Sequence, residues 1–583
     1  MTYIAENALI VQSDRSILLE VHAPTAEKAR AAIAPFAELI KSPEHIHTYQ
    51  ITPLSIWNAR ATGMAIAEML AALQTYAKYP APEAVLQEIQ ILGERYGLTA
   101  IERLETTEST ELESLSQIPS LQLRVANLPL TELLVRDDRV KAFLGVRLDP
   151  LRFQIDPADR GLIKQALVAV GYPAEDMAGY IAGDALAIAL RPQTQSGQAF
   201  TLRTYQKEAA EAFYQSGRVR GGSGVIVLPC GAGKTIVGMI AISLVQQNTL
   251  ILTSSLTSVH QWRRELLDKT DLPEDAIAEY SSESKQTAPV TLSTYQMLTY
   301  RSQKDGDFPH FELFNAQAWG LIIYDEVHLL PAPVFRITAE LQARRRLGLT
   351  ATLIREDGKE GDVFALIGPK RYDVPWRELE SQGFIAIAEC TEIRIAQTEA
   401  RQMEYALAPR RMQFRIAAEN PSKFEVVQTL LTKEAGHRIL VIGEYIDQLE
   451  EIANLTQLPL ITGKTKQSER DRLYEAFRQK QIAGLILSRV GNFAVDLPDA
   501  DVLIQVSGKY GSRQEEAQRL GRILRPKADR HHAHFYSLVT LQTCEEEFAR
   551  HRQLFLTEQG YTYHITAVCI PQGIADLGKN HPK

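Results

Sequence analysis

A glycine-rich stretch, LPCGAGKT at residues 228–235, combines residue types that can bind the phosphates of a nucleotide. Glycines allow backbone N–H groups to turn toward phosphates, Lys234 can reach the terminal phosphates, and the Thr235 hydroxyl can ligate Mg²⁺. The strict pattern opens with glycine where this chain has leucine, and a glycine-rich helix start without a ligand is the alternative. We expect ATP with Mg²⁺ to bind here, at Gly231, Gly233, Lys234 and Thr235.

An acidic pair, Asp325 and Glu326, follows the apolar run LIIY within the segment LIIYDEVHLL, further along the chain. A carboxylate at the end of a strand near the phosphate loop is the second half that a nucleotide site requires. We expect Asp325 to hold Mg²⁺ and Glu326 to polarise the attacking water. Two adjacent acids that merely cap a strand are the alternative for this pair taken alone.

The segment Leu202-Arg203-Thr204-Tyr205-Gln206 begins a helical pattern just before the strand that precedes the phosphate loop. Gln206 has both a donor and an acceptor for an adenine edge. Arg203 and Gln206 are therefore candidates for nucleotide binding, although an ordinary helix start explains the segment equally well.

Three arginines follow one another at three-residue steps in QRLGRILRP, so they share one side of a helix. Cations on one face repel each other unless an anion faces them. Arg522 and Arg525 can neutralise charge on a transferring γ-phosphate, as arginine fingers do, and the third is Arg519. A solvated basic face is the alternative. Because two lobes would have to close to bring these arginines to the phosphates, the arrangement is typical of a motor.

Short apolar runs alternate with helical patterns in two successive regions of the chain. The first series begins near residue 200 with GVIVL, TLILTS, PVTLSTY and LIIYDE, and the second begins near residue 435 with HRILVIG, AGLILS, DADVLIQVS and HAHFYSLV. Such alternation predicts parallel sheets that are buried on both faces. We therefore expect two α/β lobes, at 200–375 and 376–565, with a cleft between them and a tail at 566–583.

The first part of the chain has a different pattern of apolar and polar residues. Residues 1–105 combine strand-like runs at Ala8–Val11 and Ser16–Val21 with the helical patterns AEKARAAIAPFAELIK and ARATGMAIAEMLAALQTYAK. The soft segment TTESTELESLSQIPS predicts a linker. Residues 120–195 predict a small α/β domain that ends in the polar stretch RPQTQSGQ.

Length and composition set the general class. At 583 residues the chain exceeds a single core, so about three or four domains are expected. A net charge of −8 confines any nucleic-acid surface to a local basic patch. The 4 cysteines include no Cys-x-x-Cys pair, which argues against a disulfide framework or a zinc site. No apolar run is long enough to span a membrane, and the N-terminus lacks a signal-peptide pattern, so we expect a cytoplasmic protein.

With these elements in this order, the chain resembles superfamily 2 nucleic-acid translocases. It carries LPCGAGKT, YDEVH, TAT and QRLGRILR, with LILSRVGNFAVDLP in the motif V position. Arg355-Glu356-Asp357, just after TAT, resembles the RED motif of XPB-type DNA helicases. SRVGNFAVDLPDADVLIQVSGKYGSRQEEAQRLGRILRPK, ENPSKFEVV and FLTEQGYTYHI are also similar to that family. The resemblance is dense over residues 200–565, and LIVQSDRSILLEV and HTYQITPLSIWNA resemble the family's N-terminal module.

The resemblance implies an α/β protein with two tandem RecA-like parallel-sheet lobes, preceded by small α+β domains, of which 120–195 is similar to a damage-recognition domain. It implies ATP-driven 3′→5′ translocation on DNA in excision repair or transcription. It also implies roles for further residues. Arg355, Glu356 and Asp357 would act in strand separation, and Thr350, Thr352 and Gln518 would couple ATP hydrolysis to movement. Asp496 would bind the nucleotide. The residues that would contact DNA are Ser254, Ser255, Gln261, Trp262, Thr294, Gln296 and Ser488.

Each of these DNA contacts has an N-cap or core role as its alternative. Two departures from the family pattern are also visible. Ala494 stands at a motif V position that is often glycine, and the basic thumb expected near 401–423 is short, with Arg410, Arg411 and Arg415.

Three functions remain open at this point. The first is an ATP-dependent DNA helicase that acts on single-stranded DNA and on fork or overhang duplexes. The second is a duplex translocase that does not separate strands. The third is an ATP-switched DNA-binding scaffold that recruits a repair nuclease. The ATP site is common to the first two, so the sequence does not separate them, and no membrane partner is expected.

Overall fold

The computed structural model describes residues 3–41, 45–104, 120–229, 231–301, 308–330, 334, 338, 344–351, 360–374, 376–488, 500–508, 520–521, 532–558, 561 and 563–568. The chain divides into two compact units, residues 1–228 with 233–374 and residues 229–232 with 375–583. Within the described ranges, no helix combines the length and the apolar character that crossing a membrane requires.

The first small domain packs helices on an antiparallel sheet. Its elements are β1 (Leu9–Val11), β2 (Ser16–Glu20), α1 (Ala26–Ile33), β3 (Glu38–Lys41), β4 (Ile46–Gln50), α2 (Pro53–Thr62), α3 (Ile66–Tyr76) and α4 (Glu83–Arg95). The strand order is β1-β2-β4-β3. Its core includes Leu19, Phe36, Trp57 and Ile89.

Two helical predictions in this domain are wrong in extent. The helix predicted through Lys41 ends at Ile33, because residues 38–41 form the edge strand β3 beside β4. The second predicted helix is broken at Gly63, whose φ of 105° places it in the left-handed region and ends α2.

The second small domain contains a mixed sheet. Its elements are β5 (Thr99–Arg103), β6 (Leu121–Val125), α5 (Leu128–Arg136), α6 (Asp138–Lys141), β7 (Arg147–Asp149), β8 (Arg152–Ile155), α7 (Arg160–Val170) and β9 (Glu175–Asp176). The strand order is β7-β8-β6-β5-β9.

The predicted border between the two small domains does not agree with this sheet. Arg103 of β5 pairs with Leu121 of β6, so the segment predicted as a linker joins two neighbouring strands of one sheet. The linker residues 106–119 themselves lie outside the described residues. We propose to draw the border between α4 and β5.

The first lobe is built on a parallel sheet that belongs to the first unit. Its elements are α8 (Thr204–Tyr214), β10 (Ser223–Val227), α9 (Lys234–Val245), β11 (Thr249–Thr253), α10 (Leu256–Lys269), β12 (Ile277–Glu279), β13 (Val290–Thr294), α11 (Tyr295–Leu298), β14 (Leu321–Asp325), β15 (Arg345–Thr350), α12 (Glu360–Leu366) and β16 (Lys370–Asp373). The strand order is β12-β13-β11-β14-β15-β10-β16, and each described neighbouring pair is parallel.

The second lobe is built on a parallel sheet that belongs to the second unit. Its elements are α13 (Trp376–Ser381), β17 (Ile387–Ile395), α14 (Glu399–Leu407), α15 (Arg410–Ala418), α16 (Ser422–Lys433), β18 (Ile439–Ile442), α17 (Ile446–Thr456), β19 (Leu460–Ile461), α18 (Gln467–Arg478), β20 (Gly484–Leu487), β21 (Val502–Gln505), β22 (His532–Thr540), α19 (Cys544–Glu558) and β23 (Tyr563–Val568). The strand order is β19-β20-β18-β21-β22-β17-β23.

The two parallel sheets confirm the predicted α/β class with two sheet lobes after small domains. Every apolar run that predicted a strand in the lobes forms one, and each central strand is buried on both faces, as in β10 and β18. The sequence did not predict the strands at the sheet edges, such as β12, β16 and β23, whose composition is more polar.

Candidate nucleotide site and nucleic-acid interface

Three neighbouring strands of the first lobe carry the predicted nucleotide residues at their carboxyl ends. β15 lies between β10 and β14, with Thr350 opposite Val227 and Leu349 opposite Asp325. In parallel α/β sheets, ligands bind beyond the carboxyl ends of the strands. The sheet therefore brings the end of the phosphate-loop strand, the acidic pair and Thr350 to one edge.

The glycines of the phosphate loop have backbone conformations that other residues rarely adopt. Gly231 has a φ of 82° and Gly233 a φ of 84°. Helix α9 begins at the next residue, Lys234, so the positive end of its dipole lies at the loop. A Cβ atom on Gly233 would lie 2.5 Å from Nε2 of Gln206, so a side chain here would displace the Gln206 amide. These features agree with the phosphate site predicted for Gly231, Gly233, Lys234 and Thr235.

The Lys234 ammonium lies beside the acidic pair. Its Nζ is 3.4 Å from Oε1 of Glu326, and both side chains are largely buried. Burial opposes the charge of Glu326, yet the nearby Lys234 and then His328 hold the pKa of this carboxyl below its usual value. Glu326 is therefore ionised at neutral pH, as a group that orients water must be.

Glu326 has a left-handed backbone conformation, and one of its carboxylate oxygens, Oε2, is buried without a hydrogen bond among the described residues. Its φ and ψ are 51° and 54°, a left-handed conformation that is uncommon outside glycine and that occurs at functional sites. Its Oε2 is buried, and among the described residues no group hydrogen-bonds to it, although Nδ1 of His328 lies 3.5 Å away. A buried acceptor in this position suits a water molecule that is to be activated.

Asp325 is held from two sides. The indole Nε1 of Trp262 donates to Oδ2 at 2.9 Å, and the backbone N–H of Glu326 donates to Oδ1 at 3.1 Å. Burial, together with the charge of Glu326, raises the pKa of Asp325 to about 6. The hydroxyl of Tyr295 donates to the Asp325 backbone carbonyl at 2.9 Å and fixes the end of β14.

Trp262 corrects one prediction. It was a candidate DNA contact, but its side chain is only 1% exposed and its polar atom binds Asp325. A Cβ on Gly238 of α9 would overlap its ring, so the glycine provides the space that the indole fills. No local pattern predicts this contact, because Trp262 and Asp325 lie on different elements.

The donor set suits Mg²⁺. Asp325 and Thr235 offer the hard oxygen atoms that Mg²⁺ prefers, and nucleotide sites commonly complete the shell with phosphate oxygens and water. Within the described ranges, no group of three or more His, Cys, Asp and Glu side chains could hold a metal without such help. The residues therefore fit a metal that arrives with a nucleotide.

His328 was quoted in the motif YDEVH but received no role from the sequence. It is buried, and its Nδ1 is 2.8 Å from Oγ1 of Thr350, at the carboxyl end of β15. The Thr350 carbonyl in turn accepts a hydrogen bond from Leu228 N at 3.0 Å. His328 thus lies between Glu326 and Thr350, the residue predicted to couple the ATP site to movement.

Arg203 and Gln206 form the start of helix α8. Oε1 of Gln206 accepts from the Arg203 backbone N–H at 3.1 Å, and Nη1 of Arg203 donates to the Tyr205 hydroxyl at 3.0 Å. Both side chains therefore make the hydrogen bonds of a helix start, and their part in nucleotide binding stays a prediction. Gln206 also faces Gly233 of the phosphate loop, which keeps its side chain near the predicted nucleotide.

Several predicted DNA contacts begin helices. Ser255 caps α10 by accepting from Ser258 N at 3.2 Å, and Thr294 caps α11 by accepting from Met297 N at 3.0 Å. Ser254 and Gln261 are half-buried, Gln296 is exposed, and Ser488 follows β20 and is 4% exposed. The cap and core alternatives account for the hydroxyls of Ser255, Thr294 and Ser488, and none of these contacts forbids a role in DNA binding.

Other predicted site residues lie outside the described residues. They are Thr352, Arg355, Glu356, Asp357, Asp496, Gln518, Arg519, Arg522 and Arg525, and Ala494, the departure in motif V, lies outside the described residues too.

Three family models match the chain. Residues 379–577 match "ERCC3/RAD25/XPB C-terminal helicase", residues 199–355 match "Type III restriction enzyme, res subunit", and residues 9–149 match "Helicase conserved C-terminal domain". The last match covers the first small domain and most of the second.

Curated relatives match almost the whole chain. "DNA 3'-5' helicase XPB" of Kineococcus radiotolerans is 49% identical over 98% of this chain and 99% of its own. The protein of the same name in Mycobacterium tuberculosis is 50% identical over 96% of this chain and 98% of its own. The "General transcription and DNA repair factor IIH helicase/translocase subunit XPB/SSL2" of Saccharomyces cerevisiae is 34% identical over 95% of this chain and 71% of its own.

Proposed function

Because the chain belongs to the XPB family of helicases, we propose that it is an ATP-dependent DNA helicase that moves 3′→5′ and opens DNA strands in repair or transcription. The observation that supports this most directly is the buried group of Lys234, Glu326 and Asp325 at the carboxyl edge of one parallel sheet. The relatives named as DNA 3'-5' helicases supply the substrate and the direction.

Each residue of the ATP site has a proposed part. Lys234 leaves Glu326 to bind the terminal phosphates, and Thr235 and Asp325 hold Mg²⁺. The metal, when bound, offsets the negative charge of the phosphates. Oε2 of Glu326, the buried acceptor without a hydrogen bond among the described residues, takes a hydrogen bond from the attacking water and orients it. We also propose Gln206 and Arg203 for the adenine, Asp496 for the nucleotide, and Arg522 and Arg525 for the charge that develops in the transition state.

Coupling to DNA would use the hydrogen bond between His328 and Thr350. When Lys234 moves to phosphate, Glu326 loses its nearest cation. The carboxylate can then attract Nδ1 of His328 more strongly, which would weaken the hydrogen bond between that nitrogen and Thr350. Thr350 ends the strand that leads to Thr352 and to Arg355, Glu356 and Asp357. We propose that this route links the state of the nucleotide to strand separation, with Gln518 responding in the second lobe.

The DNA path would run over the carboxyl ends of the strands. Ser254 and Thr294 stand where β11 and β13 end, Gln261 lies on α10, and Ser488 follows β20. Net charge is −8, so these contacts need local cations, and binding should weaken steeply as salt rises. We also propose a cytoplasmic location, because the scattered cysteines suit a reducing compartment in which ATP and DNA are both available.

The test is steady-state ATP hydrolysis without nucleic acid and with single-stranded DNA, duplex DNA or single-stranded RNA. Glu326→Gln is the control for a contaminating ATPase. Strong stimulation by DNA and little by RNA supports the DNA motor. Equal rates in all four conditions would contradict it while leaving the nucleotide site in place.

A strand-separation assay on a 3′-overhang duplex decides between the helicase and its alternatives. Separation of the strands supports the helicase. Displacement of a protein roadblock without separation would instead indicate a duplex translocase. Among the described residues, no observation favours a scaffold that recruits a repair nuclease, so we do not develop that alternative.

A further inference from the structure

Aromatic and cationic side chains gather beyond the carboxyl ends of β12 and β13, at the outer edge of the first lobe's sheet. We call this group the aromatic patch. It consists of Tyr280, Lys285, Tyr300, Arg301, Phe308, His310 and Phe311. Tyr280 directly follows β12, and Tyr300 and Arg301 come shortly after α11, the helix that Thr294 caps. The patch therefore begins next to a predicted DNA contact.

The rings of the patch contact one another. The ring centroids of Tyr280 and His310 are 5.8 Å apart in an edge arrangement, and the Tyr280 hydroxyl lies 3.1 Å from Nδ1 of His310. The Tyr300 ring lies 6.2 Å from His310, and Phe308 stacks on Phe311 at 4.7 Å. These contacts form two groups of rings, Tyr280 with His310 and Tyr300 in one and Phe308 with Phe311 in the other.

The patch rests on the core and yet faces solvent. Tyr280 and Phe311 pack against the buried cluster of the first lobe, so the rings have a rigid base. Tyr300 is nevertheless 57% exposed, and Lys285 and Arg301 are exposed. An aromatic surface that is rigid and accessible is suited to binding another flat group.

Two cations are held over ring faces. The Arg301 guanidinium carbon lies 4.7 Å from the Phe308 ring centroid, and Nζ of Lys285 lies 4.9 Å from that of Tyr280. Burial and the charge of Lys285 lower the pKa of His310, so its ring is neutral at pH 7 and can stack. The charge of the exposed Glu312 favours a higher pKa for Tyr280 and for His310, but the patch contains two cations, Lys285 and Arg301, against this one carboxylate.

We propose that the aromatic patch binds unpaired bases of a single DNA strand. The exposed Tyr300 ring stacks on a base, and Lys285 and Arg301 contact the flanking phosphates. Duplex DNA is a poorer partner because its bases already stack on each other. The inference rests on the proposed DNA motor function and adds a base-stacking surface that none of the predicted contacts provides.

The test uses the full chain and a fluorescein-labelled oligothymidylate, with a blunt hairpin duplex as the second probe. Tyr300→Ala should weaken binding of the single strand about tenfold, as loss of one stacked base predicts, and leave duplex binding unchanged. Tyr300→Phe keeps the ring and should bind normally. Tyr79→Ala is the matched control, because Tyr79 is 49% exposed in the first small domain.

The salt dependence provides a second measurement. Arg301→Gln should reduce the slope of log affinity against log salt for the single strand by about one, because one phosphate contact is lost. Unchanged affinity in Tyr300→Ala would overturn the inference and point to a protein partner for the patch. An equal loss for both probes would overturn base stacking. If the wild-type chain binds neither probe and DNA does not stimulate its ATPase, the proposed function itself fails.

Discussion

At the scale of single residues, adjacent carboxylates in one buried place have opposite electrostatic surroundings. Asp325 has a pKa raised by burial and by Glu326, whereas Lys234 and His328 keep the pKa of Glu326 low. Adjacent acids separated in this way can take different tasks. Asp325 is suited to a cation that has still to arrive, and Glu326 to a water molecule.

Asp325→Asn should stabilise the nucleotide-free protein and abolish ATP hydrolysis. The folded pKa of Asp325, about 6, exceeds its ordinary value of 3.8, so the folded state binds the proton more tightly. Its favourable contribution is complete below about pH 4 and is lost as pH rises through about 6. Asparagine carries no charge, and its single oxygen can accept from Trp262 but not also from the Glu326 N–H, so the gain is smaller than the pKa shift alone predicts. We expect the unfolding midpoint to rise by roughly 1–3 °C at pH 7.5 and by nothing at pH 4. A lower midpoint at pH 7.5 would contradict this account.

Lys234→Ala should remove ATP turnover and leave the fold intact. The substitution removes the cation that reaches phosphate and the nearest positive charge to Glu326. Lys207→Ala, an exposed lysine of the same lobe, is the matched control and should hydrolyse ATP normally. Circular dichroism checks the fold. Near-normal turnover in purified Lys234→Ala would refute the phosphate-loop assignment.

At the scale of elements, a buried ion cluster connects the second small domain with the first lobe. Asp176 of β9 accepts from Arg160 at 2.7 Å and from Lys164 at 3.1 Å, both on α7. The positive charge of Arg346, on β15, also lowers the pKa of Asp176, and the Arg346 guanidinium donates to Ser223 Oγ at 3.1 Å. The strand that ends in Thr350 is thus tied to the small domain.

Asp176→Asn should loosen that connection. Burial opposes the charge of Asp176, but Arg160 and Lys164 hold its pKa far below the usual range, so its contribution is present above about pH 4 and is lost below it. The substitution leaves buried cations without their carboxylate, which costs about 3–5 kcal/mol. Faster hydrogen exchange in α7 at pH 7 is the expected result. Asp138→Asn, at an exposed aspartate of the same domain, should exchange like the wild type.

The sequence predicts those elements whose structure is determined by their own residues, and it misses those whose structure depends on a distant partner. Continuous apolar runs identified β10, β11, β14 and β18 correctly, because a buried strand carries its signal within itself. The glycine loop and the acidic pair were equally local. The contacts of Trp262 with Asp325 and of His328 with Thr350 were not predictable, because they join different elements. The edge strand β3 was predicted as a helix for the same reason, since only its pairing with β4 decides its form.

At the scale of the whole molecule, both small domains and the first lobe form one compact unit. The nucleotide residues Lys234, Asp325 and Glu326 belong to that unit, and so does the aromatic patch. An acidic chain of net charge −8 can bind DNA only through local surfaces, and the patch is one such surface.

Replacing Arg355, Glu356 and Asp357 together by alanine should separate ATP use from strand opening. These residues resemble the RED motif, and the resemblance gives them a role in strand separation and none in ATP hydrolysis. DNA-stimulated ATP hydrolysis should therefore remain at roughly half of the wild-type rate or more, while strand separation is lost. A fluorescent 3′-overhang duplex measures separation in the same preparation. Undiminished unwinding would show that this cluster has another purpose.

The pairing of β5 with β6 has a practical consequence for handling the protein. Arg103 pairs with Leu121, and Leu104 N donates to Ser120 O at 2.8 Å, so the segment 105–119 leaves and re-enters one sheet at adjacent positions. We expect a cut between Leu104 and Ser120 to leave two fragments that stay paired through β5 and β6. We also expect an insertion between these two residues to leave the pairing of β5 with β6 intact.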